Sequence, residues 1–320
     1  MSAASFADRS LPEELRRMVV GRQREVEVVV AALAAGRHVL LEGPPGTGKS
    51  TLLRAVAHVA GVGFEFVEGN AELTPARLVG HHDPSRVMSE GYTDAIFVDG
   101  PLASAMRSGS LLYIEEINRV PEETLNVLIT VMSEAELNVP RLGRLAAADG
   151  FRLVAAMNPF DAVGTARISS AIYDRTCRVL MGYQGAGDEV EIVSREVGDA
   201  DPEWVANVVE VVRLTRQHPD VRVGSSVRGA VDTVLVAGSL ARLRGSTPED
   251  PSVGLDAAQA GLSGRIRLHE GSARTAEEIV TELWRQVFTA DGSPRAATAS
   301  AGEPGGPPGD GQGKAPPPPG

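Results

Sequence analysis

Short apolar runs alternate with amphipathic segments through the first 185 residues of the chain. Five of these runs have the length and composition of β-strands, and they cover residues 38–42, 64–68, 111–115, 152–157 and 178–181. Between them, apolar residues recur at the spacing of a helix face, as they do from Val26 to Leu33. This alternation is typical of a parallel sheet covered by helices, and it predicts an α/β fold.

Two stretches interrupt the alternation. Residues 78–102 hold three glycines around short β-like runs, and residues 136–147 have a similar pattern. Turn residues that separate short β-like runs are typical of hairpins, so we expect two hairpins inserted into the sheet domain.

The pattern changes after about residue 185. Four segments with helical spacing follow, at 187–198, 201–217, 225–244 and 275–289, and no further strand is predicted. We therefore expect a sheet domain over 11–185 and a helical lid domain over 186–290. Residues 1–10 are small and polar, which favours a flexible end, and residues 291–320 are rich in Gly and Pro, which favours disorder.

Charge and cysteine content narrow the possible partners and location. The formal net charge is −11, which gives no field that would hold the protein on nucleic acid or an anionic membrane. The single cysteine, Cys177, cannot form an internal disulfide, and no long apolar run marks a membrane span. We expect a cytoplasmic protein with no nucleic-acid or membrane partner.

A complete phosphate-binding motif follows the first strand. It reads Gly43-Pro44-Pro45-Gly46-Thr47-Gly48-Lys49-Ser50, and a helical segment begins at Thr51. In such a loop the backbone N–H groups converge on the phosphates, the lysine reaches the β- and γ-phosphates, and the hydroxyl binds magnesium. The sequence therefore predicts ATP and Mg²⁺ as cofactors, with Ser50 on the metal and the loop through Thr51 on the nucleotide.

Two carboxylates end the third predicted strand. A P-loop fold needs one acid at this place for magnesium and another for the attacking water, so we predict these functions for Glu115 and Glu116 respectively. Asp is usual at the first position, and the extra methylene of Glu115 can shift the metal geometry and slow hydrolysis. Asn158 follows the fourth strand, at the sheet edge where ligands bind, and we predict that it positions the same water.

With these motifs in order, the chain resembles the MoxR family of AAA+ ATPases over residues about 11–290, close to the branch of nitric-oxide-reductase and rubisco activators. The most specific stretch is the EEINR of residues 115–119, which is similar to the family's DEINR. The remaining matches are to sensor 1 at 156–159, the arginine-finger motif at 173–175, sensor 2 at 223–228 and the adenine segment at 20–22. A proline common before the sensor 2 arginine is absent here.

The resemblance implies a P-loop AAA+ core with sheet order 5-1-4-3-2, and a ring that is usually a hexamer. It also implies that Val20 and Gly21 cup the adenine. Arg175 becomes the candidate arginine finger, a group worth about 10³ to 10⁵ in rate, and the alternative is an ion pair with Asp174 or a Glu. Arg228 becomes the sensor 2 residue, and the alternative is that it only caps its helix.

The resemblance further implies an ATPase that remodels or activates a client protein, commonly with a partner that carries a von Willebrand A domain. The roughly 30 residues after 290 do not accommodate such a domain, so we expect a separate partner chain. A DNA-processing AAA+ protein, such as a clamp or helicase loader, is disfavoured by the charge of −11 and by the missing DNA-binding motif. A small-molecule kinase would need an acceptor pocket, and Glu115 leaves open a nucleotide-bound scaffold with little hydrolysis.

Overall fold

The computed structural model describes residues 6, 8, 10–159 and 169–288. The helices are α1 (Leu11–Met18), α2 (Gln23–Ala34), α3 (Lys49–Val59), α4 (Pro75–Val79), α5 (Pro84–Glu90), α6 (Pro101–Ser108), α7 (Glu122–Glu134), α8 (Ser170–Tyr173), α9 (Ala186–Val197), α10 (Pro202–Thr215), α11 (Val227–Arg244), α12 (Pro251–Leu262) and α13 (Ala276–Val287). The strands are β1 (His38–Glu42), β2 (Phe64–Glu68), β3 (Gly80–His82), β4 (Phe97–Asp99), β5 (Leu111–Glu115), β6 (Glu136–Val139), β7 (Gly143–Ala146), β8 (Arg152–Met157), β9 (Thr176–Leu180), β10 (Val221–Val223) and β11 (Arg267–Leu268).

A five-stranded parallel sheet forms the centre of the first 180 residues. Its order is β2-β5-β8-β1-β9. Numbered along the chain among themselves, these strands have the order 5-1-4-3-2, which confirms the predicted fold. Four strands have the predicted bounds, whereas β9 begins at Thr176 instead of residue 178 and ends at Leu180.

Helices cover both faces of this sheet. Val39 and Leu41 of β1 pack with α1, α2 and α3, while Leu40 between them packs on the opposite face with α6 and α7. Successive strand residues point to opposite faces, so a continuous apolar run is what a strand buried on both sides requires. The carboxyl ends of β1, β5 and β8 consequently meet at one edge of the sheet.

Both interrupting stretches contain antiparallel pairs. Strands β3 and β4 pair between His81 and Val98, with α5 in the connection between them, so the first insertion is longer than a simple hairpin. Strands β6 and β7 pair between Leu137 and Leu145 and form a compact hairpin.

Residues 186–288, which we call the helical region, have a core of their own. Val, Ala and Leu side chains of α9 to α13 fill it, together with the buried Trp204 and Trp284. The expectation of no further strand is wrong, because β10 and β11 form a two-stranded antiparallel sheet within this region. Helix α12 is also additional to the four predicted helices.

The ends of the chain lie largely outside this description. The predicted disordered segment, 291–320, is not among the described residues, nor are most of residues 1–10. Phe6, which is described, is buried in the same cluster as Leu11 and Leu15. None of the helices in the described ranges has the length and apolar character needed to cross a bilayer.

Candidate nucleotide site

The phosphate-binding motif forms the turn between β1 and α3. Gly48 has a φ of 82° and directly precedes α3. A side chain in this left-handed conformation costs roughly 1–2 kcal/mol, which explains the glycine. The Thr47 hydroxyl donates to the carbonyl of Pro44 across 2.9 Å and closes the loop. The loop therefore presents the amino end of α3, whose free N–H groups favour an anion.

Lys49 is buried, and its ammonium group lies inside the loop. It donates to the carbonyl oxygens of Gly43, at 2.9 Å, and Pro44, at 2.8 Å. Burial lowers the pKa of Lys49 to about 8, while the nearby Glu115 carboxylate acts in the opposite direction. The cation is held by neutral carbonyls, so it gains an ionic partner when an anion enters the loop.

Ser50 connects the loop to the end of β5. Its hydroxyl donates to Oε1 of Glu115 across 2.8 Å, and it lies 3.2 Å from the hydroxyl of Tyr113. Burial raises the pKa of Tyr113, so this phenol stays protonated. The predicted metal residues, Ser50 and Glu115, are therefore in direct contact.

These oxygen donors fit magnesium. Mg²⁺ prefers oxygen ligands and usually keeps waters and phosphates in its shell, so it needs only one or two protein groups. Ser50 and Glu115 supply two such groups at the carboxyl edge of the sheet. No cluster of three or more His, Cys, Asp or Glu side chains able to hold a metal occurs in the described ranges. The arrangement suits a metal that arrives with a nucleotide.

Glu116 occupies a strained turn after β5. Its φ of 52° and ψ of 45° are left-handed, which is uncommon for a side chain with a Cβ atom. Oε2 of Glu116 forms an ion pair with Arg119 at 3.1 Å. Gly69 lies against this turn, because a Cβ atom at residue 69 would be 2.4 Å from the carbonyl oxygen of Glu116. The packing and the ion pair therefore fix the position of the turn and of the Glu116 carboxylate.

A cleft of about 750 Å³, which we call the phosphate cleft, lies in front of the loop. The predicted site residues that line it are Pro45, Gly46, Thr47, Gly48, Lys49, Ser50, Glu115, Glu116, Asn158 and Arg228. The acids lie at the end of β5 and directly after it, the amide directly follows β8, and Arg228 comes from the first turn of α11. The structure therefore brings the loop, Glu116, Asn158 and the sensor 2 candidate together.

A second cavity of about 360 Å³ lies beyond the loop and shares Gly46, Thr47 and Gly48 with the phosphate cleft. Val20 and Thr51 line it, and the carbonyl of Val20 accepts a hydrogen bond from Gln184. Apolar side chains from the helical region complete its wall: Ile192, Val227 and Val231.

Gly21 adjoins this second cavity but does not belong to its lining among the described residues. Its φ is 64°, and a Cβ atom there would lie 2.4 Å from Cγ of Asp188. The glycine is required because the segment approaches α9 closely.

Arg22 is a buried residue of the site for which the matched segment 20–22 predicted no function. It is 4% exposed, and its NH2 group donates to the carbonyls of Thr47, at 2.9 Å, and Gly182, at 2.6 Å. It therefore joins the loop to the segment after β9. The only signal in the sequence was its place directly after Gly21, since no pattern identifies a buried arginine.

Arg175 lies apart from both cavities within the described part of the chain. Its Nε donates to Oγ of Ser133 across 2.5 Å, and NH1 donates to the carbonyl of Ala171 across 2.9 Å. Among the described residues it forms no ion pair with Asp174 or with a Glu, and the hydrogen bonds given above are to neutral oxygens.

Comparisons with known proteins agree with this geometry. A family model described as an AAA domain of the dynein-related subfamily matches residues 38–176. The chain is 28% identical over 305 residues to the uncharacterized protein YeaC of Bacillus subtilis, which covers 86% of this chain and 92% of that protein. It is 30% identical over 235 residues to the gas vesicle ATPase GvpN of Haloferax mediterranei, covering 68% of each chain.

Two solved structures share the fold. A Cytophaga hutchinsonii protein described as a candidate ATPase has a TM-score of 0.50 at 19% identity and covers 89% of this chain and 94% of its own. The RuvB branch migration motor of Thermotoga maritima has a TM-score of 0.51 at 16% identity, covering 77% and 72%. The gas vesicle ATPase relative and the matched family model, together with the motifs, show that the chain belongs to the AAA+ ATPases and fits the MoxR family within them.

Proposed function

We propose that this protein hydrolyses ATP with magnesium and uses the cycle to remodel or activate a client protein, as an AAA+ activator of the MoxR type. One observation carries the proposal. Lys49, the Ser50–Glu115 contact and Glu116 all face a single cleft in front of a complete phosphate-binding loop. A phosphate grip, a metal pair and a water-orienting acid are the parts that phosphoryl transfer to water needs.

The side chains of this cleft have separate tasks. Lys49 neutralises phosphate charge, and Ser50 and Glu115 hold the metal, which when bound would screen the charge on the phosphates. Glu116 orients the attacking water and accepts its proton, while its ion pair with Arg119 fixes the carboxylate. Asn158 offers an amide to the same water from the end of β8.

The helical region reaches the loop directly, which supports a mechanical cycle. Ser226, just before α11, lies so near Gly46 that a Cβ atom built on the glycine would be 2.1 Å from its hydroxyl oxygen. A change in the loop on phosphate release therefore moves Ser226, and with it α11. Such a movement is the means by which the ring would act on a client.

Arg175 supports assembly as a homohexameric ring. It follows α8 and does not line its own cleft, and in the described part of the chain its hydrogen bonds are to neutral groups. A cation placed in this way suits the γ-phosphate of a neighbouring subunit. A client and a separate von Willebrand A-domain chain complete the proposed assembly. The names of the gas vesicle ATPase relatives support hydrolysis, and the likeness to RuvB concerns the fold alone.

Two substitutions test the proposal. Lys49→Ala is expected to abolish ATP binding, because the phosphates lose their main cation, whereas Glu116→Gln should bind ATP normally and release no phosphate. Equilibrium binding and phosphate release should be measured for both, with the exposed Glu72→Gln as the control. Equal ATP affinity in the wild type and Lys49→Ala would show that the loop is not the nucleotide-binding site. Binding by the wild type without phosphate release, with or without a partner, would favour the scaffold alternative.

A further inference from the structure

Four arginines of the helical region line the phosphate cleft: Arg222, Arg228, Arg265 and Arg267. Arg265 forms an ion pair with Asp232, which leaves three without an ionic partner in the described part of the chain. Arg222 lies in β10, Arg267 in β11, and Arg228 in the first turn of α11. All three side chains are exposed to the cleft. Only Arg228 belongs to a recognised motif, so the functions of Arg222 and Arg267 are unexplained by the motifs.

In the described part of the chain, these three arginines differ from most arginines of the helical region in having no acidic partner, which they share with Arg242 and Arg285 outside the cleft. Six other arginines of the helical region form ion pairs with Asp or Glu: Arg195, Arg213, Arg216, Arg244, Arg265 and Arg274. Within the described ranges, no carboxylate oxygen lies within 4.0 Å of the guanidinium groups of Arg222, Arg228 or Arg267. The chain has 42 acidic and 31 basic residues, so unpaired arginines gathered at one cleft indicate an anionic ligand.

The two strands hold Arg222 and Arg267 in a fixed frame. Val223 pairs with Arg267 in the antiparallel sheet, and the N–H of His269 donates to the carbonyl of Asp220 across 2.9 Å. Val221, which precedes Arg222 in β10, is buried in the core of the helical region. The pair of arginines is therefore anchored to the helical region, and any movement of that region would carry both side chains with it.

The helical region also contacts the phosphate-binding loop. Arg216 donates from Nε to the carbonyl of Ser225 across 2.7 Å, and Ser226 packs against Gly46. Arg228 and Lys49 are near enough that the charge of Arg228 contributes to lowering the pKa of Lys49, after the larger effect of burial. Cations of the loop and of the helical region thus surround one space.

We propose that Arg222 and Arg267 bind the terminal phosphate of ATP from the helical side of the cleft, and so make closure of the helical region selective for triphosphate over diphosphate. This inference rests on the proposed ATPase function and adds two residues to its phosphate site. The guanidinium group offers several donors in a planar fork that matches phosphate oxygens. A diphosphate lacks the group that these donors bind, so it leaves the two cations unpaired.

The test compares ATP and ADP affinities at saturating magnesium. The double variant Arg222→Ala/Arg267→Ala is made in the Glu116→Gln background, which removes turnover during the measurement. We expect ATP affinity to fall by about tenfold or more, and ADP affinity to stay nearly unchanged, because charged hydrogen bonds to the terminal phosphate are lost. Arg242→Ala is the matched control, since Arg242 is an exposed arginine of α11 that contacts Ser239.

An unchanged ratio of ATP to ADP affinity would overturn the inference, whether both affinities fall together or neither does. Loss of ring assembly with an unchanged ratio would instead assign the two arginines to a neighbouring subunit. If the double variant fails to fold, the ratio of ATP to ADP affinity is measured with Arg222→Lys/Arg267→Lys. Lysine keeps the positive charge but lacks the planar fork of donors, so this ratio is still expected to fall. Lys49→Ala is measured in parallel, because its retention of ATP binding would reject the proposed function itself.

Discussion

The hydroxyl of Ser50 donates to the carboxylate of Glu115 across 2.8 Å, which joins the phosphate-binding loop to the end of β5. Glu115 stands where Asp is usual, and its longer side chain contacts the loop directly. This contact places the negative charge of Glu115 beside the position that a metal bound to Ser50 would occupy.

Glu115→Gln should raise the magnesium concentration needed for half-maximal ATPase activity by about tenfold or more, because the amide keeps the length of the side chain and removes its charge. ATP binding measured without magnesium should hardly change. Glu72→Gln, an exposed acid outside the cleft, is the control. An unaltered magnesium requirement in Glu115→Gln would show that Glu115 does not serve the metal.

Gly46→Ala should weaken ATP binding and displace the helical region. The residue has a φ of 73°, and the new methyl group would meet the Ser226 hydroxyl at 2.1 Å and its Cβ atom at 2.6 Å. The clash must push Ser226 away from the loop, while the left-handed backbone adds roughly 1–2 kcal/mol of strain.

A second substitution separates these two effects. Gly46→Ala/Ser226→Gly removes both clashing atoms and leaves only the backbone strain, so ATP affinity should recover in part. Ser226→Gly alone serves as the control. A double variant as weak as Gly46→Ala would show that the contact with Ser226 is irrelevant to nucleotide binding.

ATP affinity should decline as the pH rises above about 8, the pKa of Lys49 in the free protein. Phosphate favours the charged lysine and raises its pKa in the complex, so binding above pH 8 takes up one proton. Linkage then predicts a loss of up to about tenfold per pH unit, whereas affinity below pH 8 should be level with respect to this group. Calorimetry in buffers of different ionisation enthalpy measures the uptake.

Lys49→Arg provides the comparison for this pH profile, because arginine keeps its charge across the range. Its absolute affinity is expected to be lower, but its dependence on pH should be flat. A flat profile in the wild type would contradict the assignment of a titrating Lys49 to the phosphate site.

The central sheet could be predicted because its buried strands are continuous apolar runs. Strand β9 departs from this pattern because it is an edge strand that pairs only with β1, and its first half includes the partly buried Thr176 and Cys177. A polar residue at a half-exposed edge gives no apolar signal, so the predicted start was two residues late.

The helical region was harder to predict for different reasons. Helix α12 contains Gly254, whose missing side chain makes room for Trp284, since a Cβ atom there would lie 2.5 Å from the indole ring. Glycine lowers helix propensity, so packing rather than local sequence stabilises α12. Strands β10 and β11 have three and two residues, which is too short for any period to appear.

The candidate site likewise contains some residues that the sequence identifies and others that only the fold identifies. The loop residues 43–50 are contiguous in sequence, and Glu115 and Glu116 are adjacent at the end of β5, so their chemistry could be predicted from the motifs. Arg222 and Arg267 belong to no motif, and Arg22 lies in the matched adenine segment without a predicted function, so only the fold reveals where these three side chains lie.

Mixing two inactive variants tests the ring ATPase most directly. Arg175→Ala should bind ATP nearly normally and turn over slower by about 10³-fold or more, because only the charge delivered to a neighbouring site is lost. Lys49→Ala should fail to bind ATP. The exposed Arg285→Ala, in α13, is the control and should keep full activity.

Neither inactive variant contains a complete site, but a mixed ring can pair an intact Lys49 with an intact Arg175 across one interface. Labelled subunits must first be shown to exchange at the assay concentration. We predict that phosphate release then appears in the mixtures and peaks at intermediate ratios. Activity at background in every ratio, despite free exchange of subunits, would contradict a shared site and return Arg175 to a structural function with Ser133.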